Sequence, residues 1–190
     1  MLNETQGNIL LRLARQTIAD HLHLSVREPV REAELADPDL QAKRGVFVTL
    51  KKHGALRGCI GSLVGQESIV DGVRRHALNA AFHDSRFPPV TADEVPSLRI
   101  DVSVLTEPRP LAYSDDQDLV QKLRPHVDGV ILRAPGGAGA TFLPQVWDQL
   151  PDPQLFLSHL CLKAGLPQLA WQSGQLEIET YQVQHFEEDE

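Results

Sequence analysis

Apolar residues near the start of the chain recur at the spacing of an α-helix. Four of them fall four residues apart on one face: Leu10, Ala14, Ile18 and Leu22. This spacing predicts an amphipathic helix over about residues 3–24. Asn3, followed three residues later by Gln6, has the pattern of a capping box, in which side chains pair with the free N–H groups of a helix start.

Further helices are predicted from the same kind of evidence. Helical spacing returns over about residues 66–81, and a shorter helix is expected over 116–123. Asp152 before Pro153 is a typical helix start and Gly165 is a typical stop, so a helix is expected between them. Charges and prolines interrupt the pattern over residues 27–39, which favours an extended surface connection.

Alternation of apolar and polar residues predicts the strands. The clearest case is the segment 98–105, in which every second residue is apolar. Weaker patterns predict strands at 45–51, 55–60, 128–133 and 175–183. The first two can pair as a hairpin, whereas residues 134–140 are rich in glycine and predict a loop. Because helices and strands do not form regular βαβ units, the expected fold class is α+β.

Composition narrows the classes of function. The formal net charge is −8 and no stretch gathers lysine and arginine, so nucleic acid is not an expected partner. No apolar stretch approaches the roughly 20 residues of a membrane-spanning helix, and a signal-peptide pattern is missing, so no membrane association is expected. Two cysteines without a C-x-x-C pair favour a reducing cytoplasm. The acidic end, residues 187–190, is expected to be a solvated tail.

Cys59 is the sharpest candidate for chemistry. It lies between Gly58 and Gly61, whose missing side chains would leave room for a ligand or another backbone. Arg57, two positions away on a strand, should share the face of Cys59 at roughly 7 Å, and a guanidinium at that range favours the reactive thiolate. The alternative is a buried structural cysteine, which is a common state of the free residue.

The loop of residues 83–86 is a second candidate. His83 near a thiol would complete a Cys/His pair of the kind that activates a nucleophile. Asp84 and Arg86 could equally hold the loop together through a charge-assisted hydrogen bond. We expect Asp84 to meet Arg57 and Cys59 at one groove, with the intervening helix directed back across the sheet.

Other candidate features are interpreted as structural. Cys161 lies on an apolar helical face with Phe156, Leu157 and Leu160, which predicts a core position. No metal site and no cofactor are predicted, because the histidines lack tight ligand spacing. The stretch 136–139 is rich in glycine but lacks the Lys-Ser/Thr of a phosphate-binding loop.

Several segments together carry a family resemblance that spans nearly the whole chain. They are residues 47–50, 56–61, 84 with 86–87 and 89–90, 102–105, 128–132, 141–147 and 160–166. The most specific is 56–61, which reads Leu-Arg-Gly-Cys-Ile-Gly. With these motifs the chain resembles the AMMECR-type domain, called protein A of the AmmeMemoRadiSam system in bacteria and archaea. The loop 133–140 departs from the pattern, being richer in alanine and glycine than in relatives.

The resemblance implies a two-lobed α+β domain with antiparallel sheets, helices packed on them and a groove between the lobes. We expect one domain over 1–190, with one lobe of about 1–110 plus a C-terminal strand at 175–186 and another of about 111–174. Signature residues would line the groove. The proposed catalytic group is Cys59, Arg57, Asp84 and His83, and the proposed binding group is Gly58, Gly61, Arg86, Phe87 and Trp147.

The resemblance also implies two partners, a Memo-like protein and a radical S-adenosylmethionine protein, in a shared modification pathway, with no established enzymatic activity. Two hypotheses follow. In the first, the groove binds a small molecule or peptide and the Cys59 thiol processes or carries it. In the second, the domain is a non-catalytic interaction module whose Arg57, Phe87 and Trp147 present a binding surface. The sequence does not decide whether the protein is an enzyme.

Overall fold

The computed structural model describes residues 1–189 and has the predicted α+β fold, with two four-stranded antiparallel sheets. The helices within these residues are α1 Glu4–His21, α2 Glu32–Leu35, α3 Ile69–Phe82, α4 Asp116–Lys122 and α5 Pro153–Lys163. The strands are β1 Val46–Lys52, β2 Ala55–Ser62, β3 Leu98–Leu105, β4 Arg109–Pro110, β5 Gly129–Arg133, β6 Gly139–Phe142, β7 Glu177–Tyr181 and β8 Val183–Glu187. None of these helices has the length and apolar character needed to cross a membrane.

The chain divides into two compact units. The first comprises Met1–Thr106 with the C-terminal stretch from Gln184, and the second comprises Glu107–Val183. In the first unit the strand order is β2-β1-β3-β8, so β2 forms an outer edge of the sheet. The α1 and α3 helices pack against each other and against this sheet. The helix α1 begins as predicted, because Asn3 and Gln6 exchange the two hydrogen bonds of a capping box.

Alternation along β1 separates two faces of the first sheet. Val46, Val48 and Leu50 are buried in the core beneath α1 and α3, whereas Phe47 and Thr49 point to the opposite face and are half-buried. The hairpin partner β2 pairs Thr49 with Cys59, so Cys59 shares the face opposite the helices. This register places the candidate thiol outside the main core.

The second unit has its own sheet and core. Its strand order is β4-β7-β5-β6, and β5 pairs with both β6 and β7. The core gathers side chains from β5, α5 and the 3₁₀ segment Pro144–Asp148, including the stacked rings of Trp147 and Phe156. Cys161 is fully buried in this core, as predicted from its helical face.

The end of the chain differs from its prediction. The expected single strand is two strands: β7 pairs within the second sheet, and β8 belongs to the first. Glu187 is exposed as expected for a solvated tail, but Glu187 and Glu188 are both held by side chains of the first unit. Glu187 pairs with Lys51, and Glu188 accepts hydrogen bonds from Arg15 and from the Ile100 N–H. Glu190 lies outside the described residues.

Two connections contain more structure than expected. The segment 27–39 includes α2, a single helical turn whose Leu35 is buried. The glycine-rich segment 134–140 includes the start of β6, which pairs with β5 from Gly139 onward. Neither element has a length that produces periodicity, so pattern alone could not indicate them.

Candidate functional site

The environment of Arg57 is set by a β-bulge. Gly58 pairs with Leu50 and Leu56 pairs with Lys51, so Arg57 has no partner on β1. Its guanidinium forms a two-point pair with Glu94, with Nη2 to Oε2 at 2.9 Å and Nε to Oε1 at 3.2 Å. The prediction that Arg57 stands beside the Cys59 thiol and activates it is therefore wrong. The bulge interrupts the alternation on which that prediction depended.

The Cys59 thiol is half-buried and has a defined partner. The Thr49 hydroxyl donates a hydrogen bond to Cys59 Sγ at 3.2 Å across the hairpin. This short reach is possible because the two residues are directly opposite each other in the register of β1 and β2. Thr49 was not predicted as a site residue, although the hairpin pattern in the sequence could have suggested a cross-strand neighbour.

The two glycines beside Cys59 make room for the protein itself. A Cβ on Gly58 would lie 2.1 Å from the Ala80 carbonyl oxygen of α3. A Cβ on Gly61 would lie 2.2 Å from the ring of Phe47. The sequence predicted room for a ligand or another backbone, and at Gly58 the structure shows the second alternative, because the Ala80 backbone approaches there. At Gly61 the space on the side-chain side is filled by the Phe47 ring. The two glycines allow close packing of a helix end and an aromatic ring against an outer strand.

A pair of side chains holds the backbone of Cys59. Asp84 Oδ2 accepts a hydrogen bond from the Cys59 N–H at 2.9 Å, and Arg86 Nη2 donates to the Cys59 carbonyl at 3.2 Å. Arg86 is also paired with Asp84 through Nε at 2.9 Å and Nη2 at 2.7 Å. We call Asp84 and Arg86 the clip. The clip occupies the place where a neighbouring strand would bond to β2.

The clip fixes the charge states of its members. The Arg86 side chain lowers the pKa of Asp84 well below its usual range, and the Cys59 N–H adds to this effect against the opposing influence of burial. Asp84 in turn raises the pKa of Arg86. The carboxylate side chain is 4% exposed and the guanidinium is 55% exposed, so Arg86 presents a fixed cation to solvent.

At the bulge, Glu94 pairs with Arg57 in the way that Asp84 pairs with Arg86. Arg57 lowers the pKa of Glu94 well below its usual range, and Lys52 adds a second cation with its Nζ 2.8 Å from Oε1. In the sequence, Thr91 and Glu94 have the spacing of a capping box, which explains only a contact between these two residues. That contact is present, since the Thr91 N–H donates to Glu94 Oε2 at 3.1 Å. The same carboxylate also holds Arg57, which the local pattern could not indicate.

The remaining predicted residues fall into different environments. The His83 side chain is exposed, and within residues 1–189 its ring makes no hydrogen bond to the Cys59 sulfur, so the expected Cys/His pair is not formed. Phe87 is half-buried, with the Arg86 guanidinium 5.5 Å from its ring centre. Trp147 is fully buried, and its indole N–H donates to the Asp128 carbonyl. The prediction that Trp147 offers a binding surface is therefore wrong.

Three side chains remain as the candidate functional surface. The hydroxyl of Thr49, the thiol of Cys59 and the guanidinium of Arg86 lie together at the outer strand of the first sheet. We call these three residues the Cys59 surface. Within residues 1–189, no group of three or more His, Cys, Asp or Glu side chains could hold a metal ion. The surface therefore offers a thiol, a hydroxyl and a guanidinium donor.

Comparison with known proteins identifies the family of the chain. The AMMECR1 family model matches residues 11–186, so the chain belongs to the AMMECR1 family. A protein from Thermofilum pendens is 38% identical over 98% of this chain and 92% of its own length. A protein from Methanothermobacter thermautotrophicus is also 38% identical, over 99% of this chain and 97% of its own length.

A solved structure supports the fold. The crystal structure of an uncharacterised protein from Pyrococcus horikoshii is similar, with a TM-score of 0.77 and 32% sequence identity. The match covers 99% of this chain and 94% of that chain. The family resemblance seen in the sequence motifs is thus confirmed by sequence and by structure.

Proposed function

We propose that the protein is a binding component of a modification pathway shared with a Memo-like protein and a radical S-adenosylmethionine protein. In this proposal a small molecule or peptide binds at the Cys59 surface. The observation that carries the proposal is that a half-buried thiol lies beside two polar groups held in fixed positions, the Thr49 hydroxyl and the Arg86 guanidinium. The pathway assignment rests on membership of the AMMECR1 family.

Preorganisation supports binding at this surface. The Arg86 side chain is held at both Nε and Nη2, so little rotational freedom remains to be lost when a ligand contacts it. A guanidinium fixed in this way presents its third nitrogen, Nη1, as a donor in a defined direction. The adjacent thiol offers a polarisable group that can contact the same ligand.

The contacts favour binding over catalysis by the thiol. Activation of a cysteine nucleophile is favoured by a nearby base that takes the thiol proton, or by a nearby cation whose charge no carboxylate already balances. The cation beside Cys59 is Arg86, and its charge is balanced by the Asp84 carboxylate. Arg57 is committed to Glu94, and the exposed ring of His83 makes no hydrogen bond to Cys59. These observations support the second candidate function, in which the Cys59 surface binds a partner as a non-catalytic interaction module.

The test is binding to the two proposed partners. Isotope-labelled protein would be mixed with the Memo-like and radical S-adenosylmethionine proteins of the same organism, and amide resonances would be followed. We expect the largest changes at Thr49, Cys59 and Arg86. Absence of binding, or changes confined to residues 107–183, would contradict the proposal.

Two variants refine this experiment. Arg86→Lys should weaken binding because it removes the planar fork, whereas Arg124→Lys should not. Arg124 is a matched control, since it pairs with Asp128 in the same way and is similarly exposed at 59%. Loss of binding in Cys59→Ser would assign the thiol a direct role. Full binding in that variant would favour the interaction module.

A further inference from the structure

The outer edge of β2 is covered by the protein over only part of its length. An outer strand exposes backbone N–H and C=O groups that can pair with another chain, and proteins usually cover or block them. Here the segment 84–94 supplies the cover. The clip takes both backbone groups of Cys59, and the Pro89 carbonyl and Glu94 hold the Arg57 side chain. The backbone groups that this segment binds are therefore those of Cys59, and at Arg57 it binds the side chain.

The backbone of Gly61 lies beyond this cover. In an antiparallel sheet, outward-pointing backbone groups recur at every second residue of an outer strand. Because the N–H and C=O of Cys59 point away from β1 to reach the clip, those of Gly61 also point away from β1. No side chain or loop within residues 1–189 hydrogen-bonds to these two groups of Gly61.

The local structure of Gly61 suits the approach of another strand. Gly61 has no side chain, so an incoming backbone meets no obstacle from it. The ring of Phe47, which lies opposite Gly61 on β1, packs against the glycine and stabilises this part of β2. One donor and one acceptor are therefore presented side by side, which matches the pairing groups of a peptide. A simple anion could use only the donor.

The covered part of the edge carries a positive charge toward this site. Two carboxylates, Asp84 and Glu94, pair with three cations, Lys52, Arg57 and Arg86. These five side chains together carry one net positive charge. Arg86 Nη1 has no hydrogen-bond partner within residues 1–189. Gly61 lies two residues beyond Cys59, roughly 7 Å along the strand. A carboxylate two positions along a paired peptide would therefore reach Arg86.

We infer that the β2 edge at Gly61 accepts an extended peptide of a partner protein as an added strand, with a peptide carboxylate bound by Arg86. This inference rests on the proposed function, since it specifies the ligand class of the same surface. Main-chain hydrogen bonds to Gly61 provide the pairing, as in other cases of strand addition. Charge-assisted hydrogen bonding to Arg86 selects peptides that carry a carboxylate at the required position.

The experiment measures amide hydrogen exchange at Gly61 in the full chain. The probe is a short peptide of alternating valine and threonine with a free C-terminal carboxylate. At a peptide concentration about ten times the dissociation constant, exchange at Gly61 should slow by about tenfold, because only the free protein exchanges. The same peptide with methylated backbone nitrogens cannot donate to the strand, and it should give no protection.

Charge recognition is tested by changing one end of the probe. A peptide with a C-terminal amide should bind more weakly than the carboxylate form. Arg86→Lys should reduce this preference several-fold, whereas the matched control Arg124→Lys should preserve it. These variants also report on folding, because their remaining resonances should match those of the wild-type protein. Equal binding of the carboxylate and amide peptides to the wild-type protein would overturn the role of Arg86.

Other outcomes separate the inference from the proposed function. If a peptide or partner shifts Thr49 and Cys59 but leaves Gly61 exchange unchanged, strand addition is wrong and the proposed function stands. If Gly61 becomes protected as the protein concentration rises without peptide, the edge pairs with a second copy, and the inference of an acidic partner peptide is wrong. If neither the peptide nor the two partner proteins shift the Cys59 surface, the proposed function fails as well.

Discussion

The two cysteines of this chain lie in different surroundings. Cys161 is fully buried in the core of the second unit, and burial raises the pKa of its thiol. Cys59 is half-buried on an outer strand, where it accepts a hydrogen bond from Thr49. The backbone of Cys59 is held by a charged pair from a loop 25 residues along the chain.

The face of a helix or strand on which a cysteine lies determines whether its thiol is buried or exposed. Cys161 lies on the inner face of a helix, where a thiol acts as a small apolar group. Cys59 lies on the face of the sheet opposite α1 and α3, where its side chain remains accessible to a ligand. The same residue type is therefore part of the apolar core in one unit and lies half-buried on an outer strand in the other.

The largest expected effect is at the buried cysteine. Cys161→Asp should lower the free energy of unfolding by more than about 3 kcal/mol, because it places a carboxylate in an apolar core. Cys161→Ala should cost only about 1 kcal/mol, since little volume is removed. Chemical denaturation of both variants measures these values. A fully stable Cys161→Asp protein would contradict the contrast between the two cysteines.

The next effect concerns the clip that holds Cys59. Asp84→Ala should lower the free energy of unfolding by about 1–3 kcal/mol, because the Cys59 N–H loses its acceptor and Arg86 loses its partner. It should also speed amide exchange at Cys59. Asp128→Ala removes the comparable carboxylate of the second unit and is the matched control. Its expected destabilisation should leave Cys59 exchange unchanged, and equal acceleration in both variants would argue against a local clip.

Acid should weaken the same clip. The pKa of folded Asp84 lies below its unfolded value, so ionised Asp84 contributes stability that is fully present above about pH 4. This contribution is lost as the pH falls through the folded pKa, where the carboxylate takes up a proton. Denaturation midpoints measured between neutral and strongly acidic pH should therefore fall more steeply for the wild type than for Asp84→Asn. Parallel curves would show that Asp84 has no part in acid sensitivity.

The smallest expected effect on stability is at Cys59 itself. Cys59→Ser should change the free energy of unfolding by less than about 1 kcal/mol, because the side chain is only half-buried and a hydroxyl can still accept from Thr49. Chemical denaturation beside Cys161→Ser provides the comparison, since the latter places a hydroxyl in the apolar core. A larger loss in Cys59→Ser than in Cys161→Ser would reverse the assigned roles.

The fold could be predicted largely from local patterns. The strand 98–105 alternates as far as Val104, and its predicted bounds match β3. The Asn3–Gln6 capping box and the burial of Cys161 were likewise visible in short segments. These features depend on a single element and its own periodicity, which the sequence displays directly.

The site was harder to predict because it depends on contacts between elements. A bulge removes Arg57 from the face of Cys59, and nothing in the strand pattern indicates where the register shifts. A glycine at position 58 predicts that another group approaches the strand closely. The sequence does not show that this group is the Ala80 carbonyl. Asp84 was correctly expected near Cys59, but it contacts the backbone N–H rather than the thiol.

We propose that the Cys59 surface, rather than the surroundings of Cys161, binds the partner. Alkylation of the two thiols in the native protein, with and without the Memo-like protein, tests this most directly. We predict that Cys59 is alkylated in the free protein and becomes protected when the partner binds, while Cys161 reacts only after unfolding. Binding of the partner with no change in Cys59 alkylation would contradict the account.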